Sequence, residues 1–207
     1  MKNKIVIFGA GGHGKVVLDI LLKSKLKVLG FLDDDTKKIN KKVLGFKILG
    51  DCSYLIKNKT VSVALGIGGN VTREKIFQKI KSLGIKIVSA VHPQAIIAKG
   101  VKIGEGVVIM PGVIIGPSTV LKEGVVINTS ASVDHDCYLN RFCQIWPGAH
   151  LAGSVTVGEF SYVGTGASVI QNINIGKNVM VGAGAAVIRN IPDSVTCVGV
   201  PAKIIKR

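Results

Sequence analysis

Four histidines in 207 residues make each one readable. His135 stands in the segment SVDHDCYLN, between Asp134 and Asp136. A carboxylate beside an imidazole can fix its tautomer and suit it to take a proton near neutral pH, which is what a general base requires. The plain alternative is a solvated corner of the chain. His13 stands in a second segment of chemical interest, GAGGHGK, where Gly9, Gly11 and Gly14 spell GxGxxG between a predicted strand and a predicted helix. Such a loop turns backbone amides and a helix N-terminus toward an anion, a phosphate above all. About twenty residues further on come Asp33, Asp34 and Asp35, at the end of the second predicted strand, where a carboxylate can accept hydrogen bonds from a ribose or a base. The same spacing fits an NAD site, and the glycines also suit nothing more than tight strand-to-helix packing. Gly9 to Lys15 reads GxxxxGK as well, but Val16 occupies the place where a nucleotide hydrolase needs Ser or Thr for magnesium.

A third cluster, Gly68, Gly69 and Asn70 followed by Arg73, precedes another predicted helix. It reads either as amides and a cation for the same ligand or as a simple turn and cap. His13 is a candidate for the ligand's phosphate or sugar, or for helix capping. His92, before Pro93, fits a turn leading into the following coils, and His150 fits an exposed corner.

These residues need elements to hold them. Over residues 1–90, KIVIFGA reads as a strand, HGKVVLDILLKS as a helix with Val16, Val17, Ile20 and Leu21 on one side, and KVLGFLDD as a second strand. VSVALGI is a third strand, VTREKIFQKIKSLG an amphipathic helix closed by Gly84, and IKIVSAV a further strand. Alternating strands and helices predict a small parallel sheet, about half a dinucleotide-binding fold and suited to a mononucleotide-sized ligand.

From Val91 onward the period becomes six. Every sixth residue from Val91 to Val187 is aliphatic, and four residues after each comes a second, small or β-branched row that includes Ala131, Cys137, Cys143, Ala149 and Ser161. An unbroken hexapeptide repeat predicts a parallel β-helix over 91–207, in which each coil buries its neighbour's aliphatic row. Three hexapeptides make a triangular coil of about 18 residues, so about five coils are expected. Glycines at 104, 106, 112, 116, 124, 148, 158, 164, 166, 176, 182 and 184 are expected at corners that need positive φ.

Composition narrows the classes further. Hydrophobic residues make up 47% and charged residues 19%, a globular balance. No apolar run approaches the ~18 residues of a membrane span, and the apolar stretch at Ile5–Phe8 is too short for a signal peptide, so a cytoplasmic protein with no membrane partner is expected. The four cysteines, 52, 137, 143 and 197, form no CxxC pair, which suggests neither zinc site nor disulfide framework, and no metal is expected. The net charge is +15, with 18 basic and 6 acidic residues in 1–90 against 9 and 6 in 91–207. Such a surplus attracts an anionic ligand or is simply solvated surface. Nucleic acid is disfavoured as the partner by 5% aromatics and the lack of a recognition motif. An NAD-dependent oxidoreductase is disfavoured by the half-sized nucleotide fold.

The hexapeptide array, the loop Gly9 to Lys15, Asp33 to Asp35, the Gly69, Asn70 and Arg73 cluster, and the ending Gly199, Val200, Pro201, Ala202, Lys203 together resemble the sialic acid O-acetyltransferase family of sugar acyltransferases. That family includes N-acetyltransferases of nucleotide-linked 4-amino-4,6-dideoxy sugars. The resemblance implies a left-handed β-helix, a homotrimer with sites between subunits, and acetyl-CoA as co-substrate. It implies transfer of an acetyl group to the amine of a UDP- or dTDP-linked amino sugar, or alternatively to a hydroxyl of sialic acid or a related sugar. His135 is then the base and Asp136 its orienting partner. Gly153 would contact the oxyanion or thioester, and Gly182, Ala183 and Pro201 the coenzyme. Gly11, Gly12, His13, Gly14, Lys15, Asp33, Asp34 and Asn70 would bind the nucleotide sugar. Nine residues after the base the family commonly has a second histidine, where this chain has Gln144, which can still donate one hydrogen bond but cannot titrate. No cysteine nucleophile is implied, and Cys137 and Cys143 read as packing residues on the inward row.

Overall fold

Ile5–Phe8 (β1) places four apolar residues in succession, and all four are buried, the pattern of a central parallel strand covered on both faces. The computed structural model describes residues 4–206 and divides between Pro93 and Gln94 into two compact units. In the first unit β1 is followed by α1 (Gly12–Lys23), β2 (Val28–Leu32), a hairpin of β3 (Lys42–Val43) and β4 (Phe46–Gly50), the short α2 (Ser53–Lys57), β5 (Ser62–Leu65), α3 (Asn70–Ser82), β6 (Ile87–Val88) and β7 (Ala90–Val91). The sheet order is β3-β4-β2-β1-β5-β6, parallel throughout except for the β3–β4 pair. The order reverses between β1 and β5, which opens a crevice at their carboxyl ends.

Helix α1 buries Val17, Leu18, Ile20 and Leu21, so Leu18 takes the place expected for the half-buried Val16. Gly9 and Gly14 let the strand and helix approach. A methyl group on Gly14 would overlap the Gly9 carbonyl, and one on Gly9 would lie 2.6 Å from the Gly66 carbonyl oxygen. The tight-packing reading therefore holds for these two, while Gly11 and Gly12 are exposed with open space where a Cβ would be. Strand β4 is an addition to the expected elements. Only its Ile48 is buried, and glycines flank it at 45 and 50, so its period is weak.

The second unit is a left-handed β-helix of two-residue strands on three faces. The first face stacks Val108–Ile109, Val126–Ile127, Gln144–Ile145, Tyr162–Val163, Met180–Val181 and Thr196–Val198. The second stacks Ile96–Ile97, Ile114–Ile115, Ser132–Val133, His150–Leu151, Ser168–Val169 and Ala186–Val187, and the third runs from Lys102–Ile103 to Asn174–Ile175. Register partners are 18 residues apart, as in Ile114 with Ser132, so the hexapeptide period is the geometry of one triangular coil. The aliphatic row is buried from Ile109 to Val187, but Ile103, near the first coil, is 39% exposed.

The corners correct the expectation about glycine. The left-handed conformation recurs every six residues from 100 to 184, and is taken by Ser118, Ser130, Asp136, Phe142, Ser154, Phe160, Asn172 and Asn178 as readily as by glycine. Gly104, Gly116, Gly158, Gly164, Gly176 and Gly182 do not have positive φ; a Cβ on any of them would meet the next coil, as at Gly116, where it would lie 2.5 Å from the His135 nitrogen. Half of the corner glycines thus serve close stacking instead of backbone handedness. The chain ends in an antiparallel pairing of Thr196–Val198 with Lys203–Lys206, across a turn with a cis Val200–Pro201 peptide. Among the described residues no helix is long and apolar enough to cross a membrane.

Candidate active site

His135 lies on the edge between the second and third faces, in the turn from Ser132–Val133 to Tyr138–Leu139. The left-handed corner falls on Asp136, with φ +58°, and its carboxylate turns back to place Oδ2 at 2.8 Å from His135 Nδ1. An ionised carboxylate only accepts hydrogen bonds, so in this pairing Nδ1–H donates to Asp136 and Nε2 keeps its lone pair. Both side chains are more than half exposed, at 57% and 59%. Two glycines seat the pair. The His135 backbone rests against Gly116 one coil before it, and the imidazole lies over Gly153 one coil after it, where a Cβ would come 2.6 Å from Nε2. The Ser154 amide donates to the His135 carbonyl at 2.9 Å and holds the two coils in step.

The residues expected to bind coenzyme lie elsewhere on the prism. Gln144 sits on the first face, between Val126 and Tyr162 in register. It is 7% exposed, and its Oε1 has no hydrogen-bond partner among the described residues. Trp146 meets Tyr162 edge to face at 5.6 Å. Gly182 and Ala183 follow Met180–Val181, on the edge between the first and second faces; a Cβ on Gly182 would lie 2.6 Å from a Val198 methyl, which places the Gly199–Pro201 turn at the same edge. The base with Gly153, and Gly182 with Ala183 and Pro201, therefore occupy two different edges of one chain.

Cysteine chemistry has no support. All four thiols are buried and unpaired with each other, burial pushes the Cys137 and Cys197 thiols up, and Cys137 Sγ donates to the Ala152 carbonyl at 3.2 Å. His150 is exposed on the second face, 2.8 Å from Ser132 Oγ, and His92 is buried.

In the first unit a pocket of about 170 Å³ opens at the carboxyl ends of β1, β2 and β5, lined by Gly9, Asp33, Asp34, Ile67, Thr72 and Ile76. Asp33 is tied into the fold. Its oxygens accept from the Ala10 and Asp35 amides, both at 3.0 Å, and from Lys38. Partial burial pushes its carboxyl up, but these amides and the Lys38 ammonium outweigh it and hold the group below the usual carboxylate range. Asp34 is exposed at the rim. Lys15 is exposed on the first turn of α1, whose Gly11 cap makes no side-chain hydrogen bond.

Of the two readings of the Gly68–Arg73 cluster, Arg73 takes the structural one. It is fully buried, and its guanidinium donates to the Ile67 and Gly68 carbonyls at 3.2 and 2.8 Å and to Asn70 Oδ1 at 2.7 Å. Asn70, 1% exposed, is likewise a clamp on the loop after β5 and not part of the pocket wall. His13 packs nearby with a buried Nε2 that has no partner among the described residues. Burial, and then the Arg73 charge, push its pKa down to about 4, so it is neutral at pH 7.

Thr72 and Ile76 escaped sequence reading, as did Lys79 and Leu83, which line a neighbouring pocket. The signal was present: 72, 76 and 79 share one face of α3, and the cap residue Leu83 continues it. It was masked because the apolar face of the same helix, Ile76, Phe77 and Ile80, overlaps it.

Comparisons with known proteins find relatives that match both units. Residues 4–80 match the PglD N-terminal domain, and residues 94–129 match the bacterial transferase hexapeptide (six repeats). The chain is 30% identical over 172 residues to a GDP-perosamine N-acetyltransferase of Escherichia coli O157:H7, covering 78% of this chain and 75% of that one. It is 38% identical over 114 residues to a UDP-N-acetylbacillosamine N-acetyltransferase of Bacillus subtilis, covering 53% and 51%. Among solved structures, a histidine-to-alanine variant of the GDP-perosamine N-acetyltransferase of Caulobacter crescentus, in complex with CoA and GDP-perosamine, is 39% identical with a TM-score of 0.94 over 100% of this chain and 99% of that one. The acetyltransferase domain of PglB from Neisseria gonorrhoeae, in complex with acetyl coenzyme A, is 38% identical with a TM-score of 0.93 over 99% and 100%.

Proposed function

The chain belongs to the sugar N-acetyltransferases of the hexapeptide transferase superfamily, and from that premise we propose that it transfers the acetyl group of acetyl-CoA to the amine of a nucleotide-linked amino sugar, with His135 as general base. The observation that carries the assignment of the base is the His135–Asp136 pair at 2.8 Å, open to solvent and seated over Gly153. The sugar amine attacks the thioester carbon while His135 Nε2 takes the amine proton. Asp136 holds Nδ1–H and stabilises the imidazolium that results. The tetrahedral oxyanion is met by a backbone amide, for which Gly153 is the candidate. Collapse breaks the C–S bond, and the imidazolium returns its proton to the leaving thiolate, so that CoA and the N-acetyl sugar are formed with no net proton change.

An amine is preferred to a hydroxyl because the relatives are named as N-acetyltransferases; the same base would serve O-acetylation of sialic acid. Acetyl-CoA is the donor in this reading, as a complexed relative indicates. Gln144 would supply a hydrogen bond to the acetyl group or coenzyme from its amide nitrogen. The nucleotide sugar would lie in the pocket at the carboxyl ends of β1, β2 and β5, with its diphosphate toward the amides of Gly11, Gly12, His13 and Gly14 and the charge of Lys15. The reading includes a homotrimer, because one chain holds the base and the expected coenzyme residues on separate edges, and a second copy would bring such edges together. The setting would be cytoplasmic, where nucleotide sugars and acetyl-CoA meet.

The test is thiol release from acetyl-CoA with a panel of UDP-, dTDP-, GDP- and CMP-linked amino and hydroxy sugars, with product mass as a second readout. Transfer is expected only with an amino sugar, and His135→Ala is expected to lose ~10²- to 10⁴-fold in kcat with an unchanged melting temperature. Full turnover by that variant would remove His135 from the mechanism.

A further inference from the structure

A second pocket, of about 290 Å³, opens beyond the first one, at the carboxyl end of β4. Its wall combines Asp34, Asp51, Cys52, Ile56, Lys79 and Leu83. Asp34 lines both pockets, so a ligand that begins at the glycine loop and passes Asp34 enters this one next. The volume is near the ~300 Å³ lower end of small-molecule sites. Ile56 and Leu83 offer apolar surface for a flat ring, while the charged groups stand at its edge.

Those charges form a pattern. Asp51 is fixed: its Oδ1 accepts from the Ser53 amide at 2.8 Å, and the hydrogen bonds of Ser53 hold its carboxyl below the usual carboxylate range. Lys79, reaching in from α3, lies 3.9 Å from Asp34 Oδ2 and close enough to Asp51 and Cys52 to influence both. The pocket therefore offers one cationic donor beside an anionic group that can only accept.

We propose that this pocket is the nucleobase subsite and that the Lys79 and Asp51 side chains select guanine, with Asp34 taking the ribose hydroxyls at the boundary. The proposal rests on the nucleotide-sugar reading of the first pocket. Guanine presents O6, N1–H and N2–H₂ in succession along one edge, an acceptor followed by two donors. Lys79 matches O6, and the Asp51 carboxylate accepts from N1–H and N2–H₂ together. Uracil and thymine present acceptor, donor, acceptor, so a carboxylate that meets N3–H also faces a carbonyl oxygen. Adenine lacks the N1 proton, and cytosine lacks a proton on N3. Only guanine answers both charges without leaving a like-charged contact. On this proposal the acceptor is GDP-linked, where the sequence resemblance implied a UDP- or dTDP-linked one.

The full-length protein is to be titrated with GDP, UDP, dTDP, ADP and CDP by calorimetry, and assayed with GDP-perosamine against a UDP-linked 4-amino-4,6-dideoxyhexose. GDP is expected to bind at least about tenfold more tightly than the others, and kcat/KM to favour the GDP sugar by ~10- to 100-fold, the size of one bidentate base contact. Asp51→Asn and Lys79→Met are each expected to reduce that ratio toward unity, mainly through KM of the GDP sugar. Equal affinity for GDP and UDP in the unmodified protein, or an unchanged ratio in both variants, overturns the guanine assignment while leaving the acetyltransferase reading in place. A protein that binds none of these nucleotides and transfers acetyl to none of these sugars overturns both.

Discussion

The chemistry of His135 depends on a neighbour with no side chain. The imidazole lies flat over Gly153, and a methyl group there would stand 2.5 Å from Cε1, inside van der Waals contact. Gly153→Ala must therefore swing the ring off its seat or bend the corner. The ring is exposed and has room to move outward, so the ring is the part that yields. We expect kcat to fall by ~10²-fold, with thermal stability and the affinity for acetyl-CoA little changed, because a displacement of about 1 Å of a reacting group is worth that much in rate. Wild-type kcat in this variant would show that the ring position seen here is not the one used in turnover. At this scale the sequence was informative about the pair and silent about its seat. Asp136 follows His135 directly, so their contact could be read from adjacency. Gly153 lies one coil later, and only the stacking of coils reveals why it must be glycine.

The β-helix was readable because one constraint repeats in every coil, and an aliphatic residue at each sixth position has no other simple explanation. The first unit was harder. Its central strands and two long helices carry strong periods, but β4 has one buried residue, and the loop after β5 is held by a clamp that sequence assigns equally well to a ligand. Arg73 shows the difference: the same cation three residues after Asn70 would bind phosphate if it faced out, yet here it satisfies two carbonyls and Asn70 Oδ1 inside the fold. Beside it, His13 is held neutral first by its own burial and then by the Arg73 charge. The His13 pKa is about 4 in the folded chain, against 6.5 as a reference for the unfolded one, so below pH 6.5 the unfolded chain takes up a proton that the folded chain refuses. The neutral His13 contribution is complete above pH 6.5 and is lost as pH falls to about 4, amounting to roughly 3 kcal/mol at ~1.4 kcal/mol per unit. Urea midpoints measured from pH 7 to 4 should show this slope, and His13→Gln should flatten it. Arg73→Met should cost about 3 kcal/mol at pH 7 by leaving buried acceptors without donors, and should let His13 protonate at higher pH. An acid limb identical in wild type and His13→Gln would assign the slope to other groups.

At the scale of the molecule, the two edges of the β-helix set the main constraint. His135 and Gly153 are on the edge between the second and third faces, whereas Gly182, Ala183 and Pro201 are on the edge between the first and second. In the proposed trimer, a closed ring of three identical chains, each presenting one edge to its neighbour's other edge, would complete every site with residues from two subunits. Active-site sharing of this kind has a distinctive consequence. His135→Ala removes the base and leaves the coenzyme edge intact; Ala183→Trp, at an exposed position, blocks the coenzyme edge and leaves the base intact. Each variant alone should be inactive. Co-expressed in equal amounts and purified as mixed oligomers through two different tags, they should recover about a third of wild-type activity, since every mixed ring of three has one interface of its three that joins two undamaged edges. Purified homo-oligomers mixed without subunit exchange should stay inactive, which separates complementation from trace revertants. Mixed oligomers that remain inactive while both variants fold and bind their nucleotide sugar would mean that each chain completes its own site, and the separation of base and coenzyme residues would then need a different explanation.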